Sequence, residues 1–411
     1  MHSLPKLNIF LSSLNFVLAF VGVLFVTSIF LPVNSDVLGM SRNVTIPYRT
    51  FALFISLTVI VVNINKSVDK LALDLKLFIF FWIIYTIRIV YDIYYSDHTF
   101  MYGPSTSSIV IFVFLVIHPS IYSIIRSYKY INMEKSFWWI LTIISFTNFL
   151  IIINNQEILA NYIGYVRFSG NMAISTIALG HLGATSIILA IYALIEKRLK
   201  NITRLFLLIL LFSGVVILLR SASLGPVFSL VIVIVFWIYS KNKLAFGGIV
   251  SILIVGVLGI VFIDQILNFI EIISPLTKNR LSLFIYEGNI NGRDLYYNNA
   301  FNTFLEAPIF GKQFLVFLTS TTYDYSHNII LDVFMGLGII GGGILIYFLF
   351  SAFKKSYLLI YNNNHYYWIC LILIQQITSN MVSSAFYYNQ LLSILLTFIF
   401  IKFKHVSKKM N

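Results

Sequence analysis

Charge is the scarcest commodity in this 411-residue chain, in which Asp, Glu, Lys and Arg together make up 10% of residues. An ordinary soluble domain carries about 25%. With 59% hydrophobic residues and a mean hydropathy of +0.90, a soluble globular fold is excluded. There is one cysteine, Cys370, in an apolar run, so neither an internal disulfide nor a cysteine-based zinc site can form. No glycine-rich Lys-Ser/Thr phosphate loop is present, which leaves direct ATP use without support. His, Cys, Asp and Glu show no metal-ligand spacing, so no metal and no other cofactor is expected. The carboxylates a glycosidase would pair, Glu287, Asp294, Glu306 and Asp324, are scattered.

What remains is a polytopic all-α membrane protein. Apolar runs near the 17 to 25 residues or so needed to cross a bilayer recur at about 8–33, 49–65, 75–95, 106–126, 136–154, 172–196, 202–220, 223–240, 244–265, 327–351, 364–383 and 387–403. These predict twelve transmembrane helices, because backbone polar groups in lipid must be bonded within the chain. The first run is too long for a signal-peptide core and is read as a retained span. Near Arg220 and Ser384 two spans nearly touch, and either pair could instead be one re-entrant feature.

Basic residues test that reading independently. With the N-terminus in the cytoplasm, only Arg42, Arg49, Arg88, Arg167, Arg220, Lys278, Arg280, Arg293 and Lys312 of the 28 Lys and Arg lie outside. The positive-inside bias therefore favours twelve spans with both termini cytoplasmic. The net charge of +13 follows from the same bias and argues little for nucleic acid, which a basic face on a soluble module would serve. Residues 1–411 read as a single transmembrane domain, with one long outer loop at 266–326. The loop shows no repeat, low-complexity tract or Pro/Ser-rich linker. Leu295, Ala300 and Phe304 among Tyr296, Tyr297, Asn298, Asn299 and Asn302 predict an interfacial amphipathic helix ended by Pro308 and Gly311.

Within the loop, Asn291-Gly292-Arg293-Asp294 is followed by Pro308-Ile309-Phe310-Gly311 and by Ser326-His327-Asn328 at the start of a glycine-containing span. This order resembles the O-antigen ligase and polymerase superfamily, and SHNIILDVFMGLGIIG is most similar to Wzy-type O-antigen or capsule repeat-unit polymerases. The likeness covers mainly residues 160–345. By resemblance Arg167, with Gly170 and Asn171, matches an arginine-glycine element before the middle spans. Arg293 matches the family's loop arginine, Gly311 its later glycine, and His327, Asn328, Asp332, Gly338 and Gly341 the segment that opens the next helix. Two positions depart from the pattern: Gly336 stands where glutamate is common, and in SASLGP Leu224 stands where the family has arginine. Arg220, one helical turn earlier, is a candidate for the missing cation.

The resemblance implies a glycosyltransferase in a bacterial inner membrane, with undecaprenyl-pyrophosphate-linked oligosaccharide as substrate and membrane lipids around it. A chain-length regulator protein is a further candidate partner. The glycan would pass from its pyrophosphate lipid to the nonreducing-end hydroxyl of a new lipid-linked repeat unit. Arg293, Arg167 and Arg220 would hold the pyrophosphate, since a guanidinium binds phosphate oxygens through two parallel hydrogen bonds and stays protonated. His327 would act as general base, a role to which imidazole is suited near neutral pH. Asn328, Asp332, Gly311 and Tyr325 would support them, and Tyr323, Asp324 and Tyr325 are placed to meet acceptor sugar.

Two other activities fit the same sequence. A ligase passing glycan to lipid A-core would use the same donor, and a flippase or transporter fits the hydropathy alone. Transporters tend to have repeated halves and interrupted helices, and neither is visible here. Arg88 and Asp92 read as an i,i+4 ion pair in an aromatic belt, with sugar binding as the alternative. His118 and His181 read as neutral histidines bonded to neighbouring helices, and the glycines from Gly336 to Gly343 as close helix packing.

Overall fold

Apolar segments of this length satisfy their backbone only as helices, and among the described residues of the computed structural model the regular elements are helices and one small hairpin. It describes residues 4–30, 38–66, 71–95, 104–155, 175–241, 257, 261–288, 292–318 and 323–410. The first helices are α1 (Leu4–Val21), α2 (Leu24–Phe30), α3 (Leu38–Val62), α4 (Leu73–Tyr95), α5 (Pro104–Phe112), α6 (His118–Ser127) and α7 (Met133–Asn154). They are followed by α8 (Thr176–Glu196), α9 (Asn201–Arg220) and α10 (Leu224–Lys241). The predicted loop folds into α11 (Ile263–Ile273), α12 (Pro275–Glu287), α13 (Arg293–Glu306) and a hairpin of β1 (Val316–Phe317) and β2 (Tyr323–Asp324). The chain closes with α14 (Ile329–Tyr361), α15 (Trp368–Ser383) and α16 (Gln390–Met410).

Seven described helices are long and apolar enough to cross a membrane, and three shorter apolar ones accompany them. They overlie ten of the twelve apolar runs read from the sequence; the run at 75–95 is covered by α4, which is not among those ten, and most of the run at 244–265 lies outside the described residues. At the Arg220 junction α9 and α10 are separate helices, each long and apolar enough to cross alone. Glu134 meets Lys197 and Glu196 meets Lys241 at one end of the bundle, while described residues of the 266–326 segment meet Arg88 and Ala222 at the other.

Rings of α4, α14, α16 and the turn at Phe386 build the core: Phe81 lies 5.1 Å from Phe386, and Phe78 lies 5.4 Å from Phe348. Polar side chains bond across helices where lipid offers no alternative. Asn8 donates to Asn63 at 3.0 Å, Asn15 to Ser123 at 2.8 Å and Ser56 to Asn15 at 2.7 Å, which ties α1 to α3 and α6.

Interrupted helices are present, contrary to the sequence reading. A π-turn at Val113–Ile117 joins α5 to α6, and α14 breaks at Gly338, whose φ is 63° and ψ −159°. The second break has an occupant. Ile339 N donates to Pro308 O at 2.8 Å and Lys312 N to Met335 O at 2.8 Å, so the 308–312 turn caps the backbone groups that the broken helix leaves open. The approach is so close that a Cβ on Gly338 would collide with the carbonyls of Pro308 and Ile309, and one on Gly311 (φ 74°) with Gly336 and Leu337. Gly338 thus serves the loop rather than helix–helix packing, whereas a Cβ on Gly336 would meet Tyr85 of α4 as well as the 313–314 backbone at ordinary contact distance. Gly341 and Gly342 instead face Leu337 and Phe334 of their own helix.

Arg88 holds the turn from the other side. It donates to the carbonyls of Phe310 (3.1 Å), Gly311 (3.0 Å) and Lys312 (3.2 Å), and its partner Asp92, wholly buried, accepts from Phe314 N at 2.9 Å. The pair predicted at the aromatic belt is therefore a clamp on the loop. Gly338→Ala and Gly311→Ala should each lower stability by about 1–3 kcal/mol through overpacking. Gly343→Ala, whose Cβ would meet nothing within 4 Å, should be neutral, as read from thermal midpoints of the detergent-solubilised protein.

Candidate active site

His327 is placed by backbone chemistry on either side of it. Asn328 caps α14, its side-chain oxygen accepting from Ile330 N (2.9 Å) and Leu331 N (3.2 Å), while Ser326 Oγ donates to Asn328 O at 2.8 Å. Between them His327 takes a left-handed φ of 58°, rare for a residue with a side chain. Its ring lies 4.2 Å from that of Tyr325 and 4.8 Å, edge-on, from that of Tyr296. Nε2 faces Asp324 at 3.7 Å, just outside hydrogen-bond reach, and Nδ1 is buried without a partner.

Arg293 opens α13 directly after Gly292, whose φ of 73° explains the Gly-Arg pair: it suits glycine, although space there is open. The helix is seated on α14 through Ala300 against Met335 and through Phe304, 5.4 Å from Phe334. Arg293 donates to the carbonyl of Val382 at the end of α15. It lines a cavity of about 380 Å³ with Arg280, Tyr297, Ser383 and the Ser223 to Pro226 segment. No carboxylate is among the described lining residues. Two guanidinium groups facing one cavity, with no carboxylate among its described lining residues, have the chemistry to hold an anion.

Arg280 was counted in the sequence only as an outer charge. It donates to Ala222 O at 3.0 Å and so stands beside the SASLGP segment that lacks its arginine. Burial, and then the neighbouring Arg293 charge, hold its guanidinium below the ordinary arginine range. Spacing gave no signal for it, because α12 brings it back from nearly sixty residues away. Arg220, the candidate for that missing cation, does not line this cavity; it is buried and donates to Ile273 O at 3.5 Å.

Other predicted residues have distinct placements. Arg167, Gly170 and Asn171 lie outside the described residues. Gly311 belongs to the docked turn, away from the cavity. Asp332 is wholly buried, accepting from Tyr85 OH at 2.6 Å and Phe386 N at 3.0 Å, so it joins α4 to the α15–α16 turn. Burial, with Asp324 adding to it, lifts the Tyr325 phenol to about 12, so at neutral pH this ring beside His327 remains a hydrogen-bond donor. Of the two predicted histidines on spans, His118 Nε2 lies 3.0 Å from Thr86 Oγ1.

With this geometry in hand, comparison with known proteins is specific to the same region. The family model described as O-antigen ligase matches residues 205–346, which hold Arg280, Arg293 and His327. Over these residues the chain is similar to that family, which supports the O-antigen ligase and polymerase superfamily. This match supports a membrane-embedded bacterial enzyme of the ligase or polymerase type, acting on lipid-linked glycan in O-antigen biosynthesis. Neither the curated proteins nor the solved structures gave a match.

If Asp332 is a tie between helices rather than a reacting group, Tyr85→Phe should cost stability and spare activity. The expected loss is about 1–3 kcal/mol, read as a lower thermal midpoint with glycan polymer still formed in cells.

Proposed function

We propose that this protein polymerises undecaprenyl-pyrophosphate-linked oligosaccharide repeat units into O-antigen or capsular polysaccharide, at the outer face of the bacterial cytoplasmic membrane, with both termini inside. The observation that carries the reading is the cavity shared by Arg280 and Arg293, without a carboxylate in its described lining. In this reaction an acceptor hydroxyl attacks the anomeric carbon of the donor glycan. A new C–O bond forms, the bond from that carbon to the pyrophosphate oxygen breaks, and undecaprenyl pyrophosphate leaves with the electron pair. The two arginines hold the leaving group as its charge grows, so they stabilise the transition state more than the ground state.

The acceptor proton goes to His327, and Asp324, 3.7 Å from Nε2, stabilises the imidazolium that results. Tyr325 and Tyr296 hold the ring between them, and Tyr296 stands one turn along α13 from Arg293, which links the base to the anion cavity. The donor's own pyrophosphate drives the transfer, so the reading requires neither nucleotide nor metal. Passing glycan to lipid A-core is the second reading, favoured by the description of the matched family.

Loss of one preorganised electrostatic stabiliser typically costs about 10²–10³ in rate. Arg280→Ala and His327→Ala should each leave a folded protein and reduce cells to lipopolysaccharide bearing single repeat units, whereas Arg220→Ala should retain a ladder. Normal chain lengths with His327→Ala would remove the base. Long chains accumulating on undecaprenyl pyrophosphate when the gene is deleted would show a ligase.

A further inference from the structure

A second cavity, of about 420 Å³, adjoins the arginine cavity, and Ile177 and Ser383 line both. One wall is unlike the rest of the bundle. Gln376, Ser379, Asn380 and Ser383 follow one another at intervals of three, one and three residues along α15, which puts amides and hydroxyls on a single face of the helix. Tyr388 and Asn389 extend that wall beyond the end of α15. In lipid such a stripe is expensive unless something bonds to it. Two atoms have nothing: Ser383 Oγ and His181 Nδ1 are buried without a hydrogen-bond partner, and both residues line the cavity. Ser383 is 8% exposed, so bulk water does not serve it.

The lining also says what chemistry would satisfy it. Its one Lys, Arg, Asp or Glu side chain among the described lining residues is Arg49, whose guanidinium lies 5.0 Å over the Phe112 ring. A pyrophosphate finds paired cations next door and not here. A polyprenyl chain has no hydrogen-bonding group and would leave the Gln376–Ser383 stripe dry, at about 1–3 kcal/mol for each unmet polar group. Carbohydrate hydroxyls both donate and accept, as amides and hydroxyls do, and the volume lies within the range of small-ligand pockets. We infer that this second cavity binds the sugar of the acceptor substrate, a hydroxyl-rich and largely uncharged oligosaccharide, and delivers its reacting end past Ser383 to the arginine cavity. The assignment rests on the glycan-transfer reading above.

Binding of two separate probes to the purified full-length protein in phosphatidylethanolamine–phosphatidylglycerol nanodiscs tests it without requiring turnover. The first probe is the oligosaccharide freed by mild acid from the host's lipid-linked repeat unit; the second is undecaprenyl pyrophosphate. Joint replacement Gln376→Ala and Asn380→Ala should weaken the oligosaccharide about tenfold or more and leave undecaprenyl pyrophosphate unchanged, while Arg280→Ala should do the reverse. Should the double variant not stay monodisperse, Gln376→Glu keeps the side-chain size, removes the amide donor and must show the same selective loss. The inference is overturned by unchanged oligosaccharide affinity, by a loss confined to undecaprenyl pyrophosphate, or by wild-type protein that binds only the lipid. Because no turnover enters, failure of the transfer reading would appear separately, as oligosaccharide binding by a protein that forms no polymer.

Discussion

Everything at the loop end of the bundle depends on the seat of one turn in one broken helix. Gly338 interrupts α14, and the Pro308–Gly311 turn supplies what the interruption exposes, a carbonyl for Ile339 N with Lys312 N answering Met335 O. Arg88 clamps three carbonyls of the same turn. Backbone groups at membrane depth are tolerated only when protein satisfies them. The turn therefore has one seat, and α13, which leads into it, and the hairpin, which leads out of it, inherit that placement. Arg293 sits at the start of the first and His327 just past the second.

This arrangement assigns different work to residues that look alike in sequence. Asp92 and Asp332, both wholly buried, are ties: one holds Phe314 N and the other Tyr85 and Phe386 N. Asp324, partly exposed beside His327, is the carboxylate that faces the ring. Among the arginines, Arg88 and Arg220 donate to backbone carbonyls, whereas Arg280 and Arg293 do so and also face a cavity. A guanidinium has five donors, so one bond to a carbonyl that fixes its position leaves others for an anion.

Much of the scaffold was legible beforehand because its signals are periodic or compositional. Apolar runs predicted the helices, and Pro308 with Gly311 closes α13 as expected. Glycines misled, since close backbone approach looks the same whether the neighbour is a helix or a loop. Gly338 met the loop, and the broken helix went unseen. Arg280 was invisible for a different reason: its approach to the SASLGP segment depends on how α12 folds back, which no local pattern records. The stripe of Gln376, Ser379, Asn380 and Ser383 was present at helical spacing, and its meaning emerged once the cavity beside it was known.

In the proposed reaction the lipid-linked repeat unit is both donor and acceptor, with the arginine cavity taking the pyrophosphate of one and His327 the proton of the other. The most direct measurement is turnover by purified protein in detergent supplied with undecaprenyl-pyrophosphate-linked repeat units and no lipid A-core. A ladder of lengthening glycans with release of undecaprenyl pyrophosphate is the result predicted. Single units that stay intact until lipid A-core is added would contradict it.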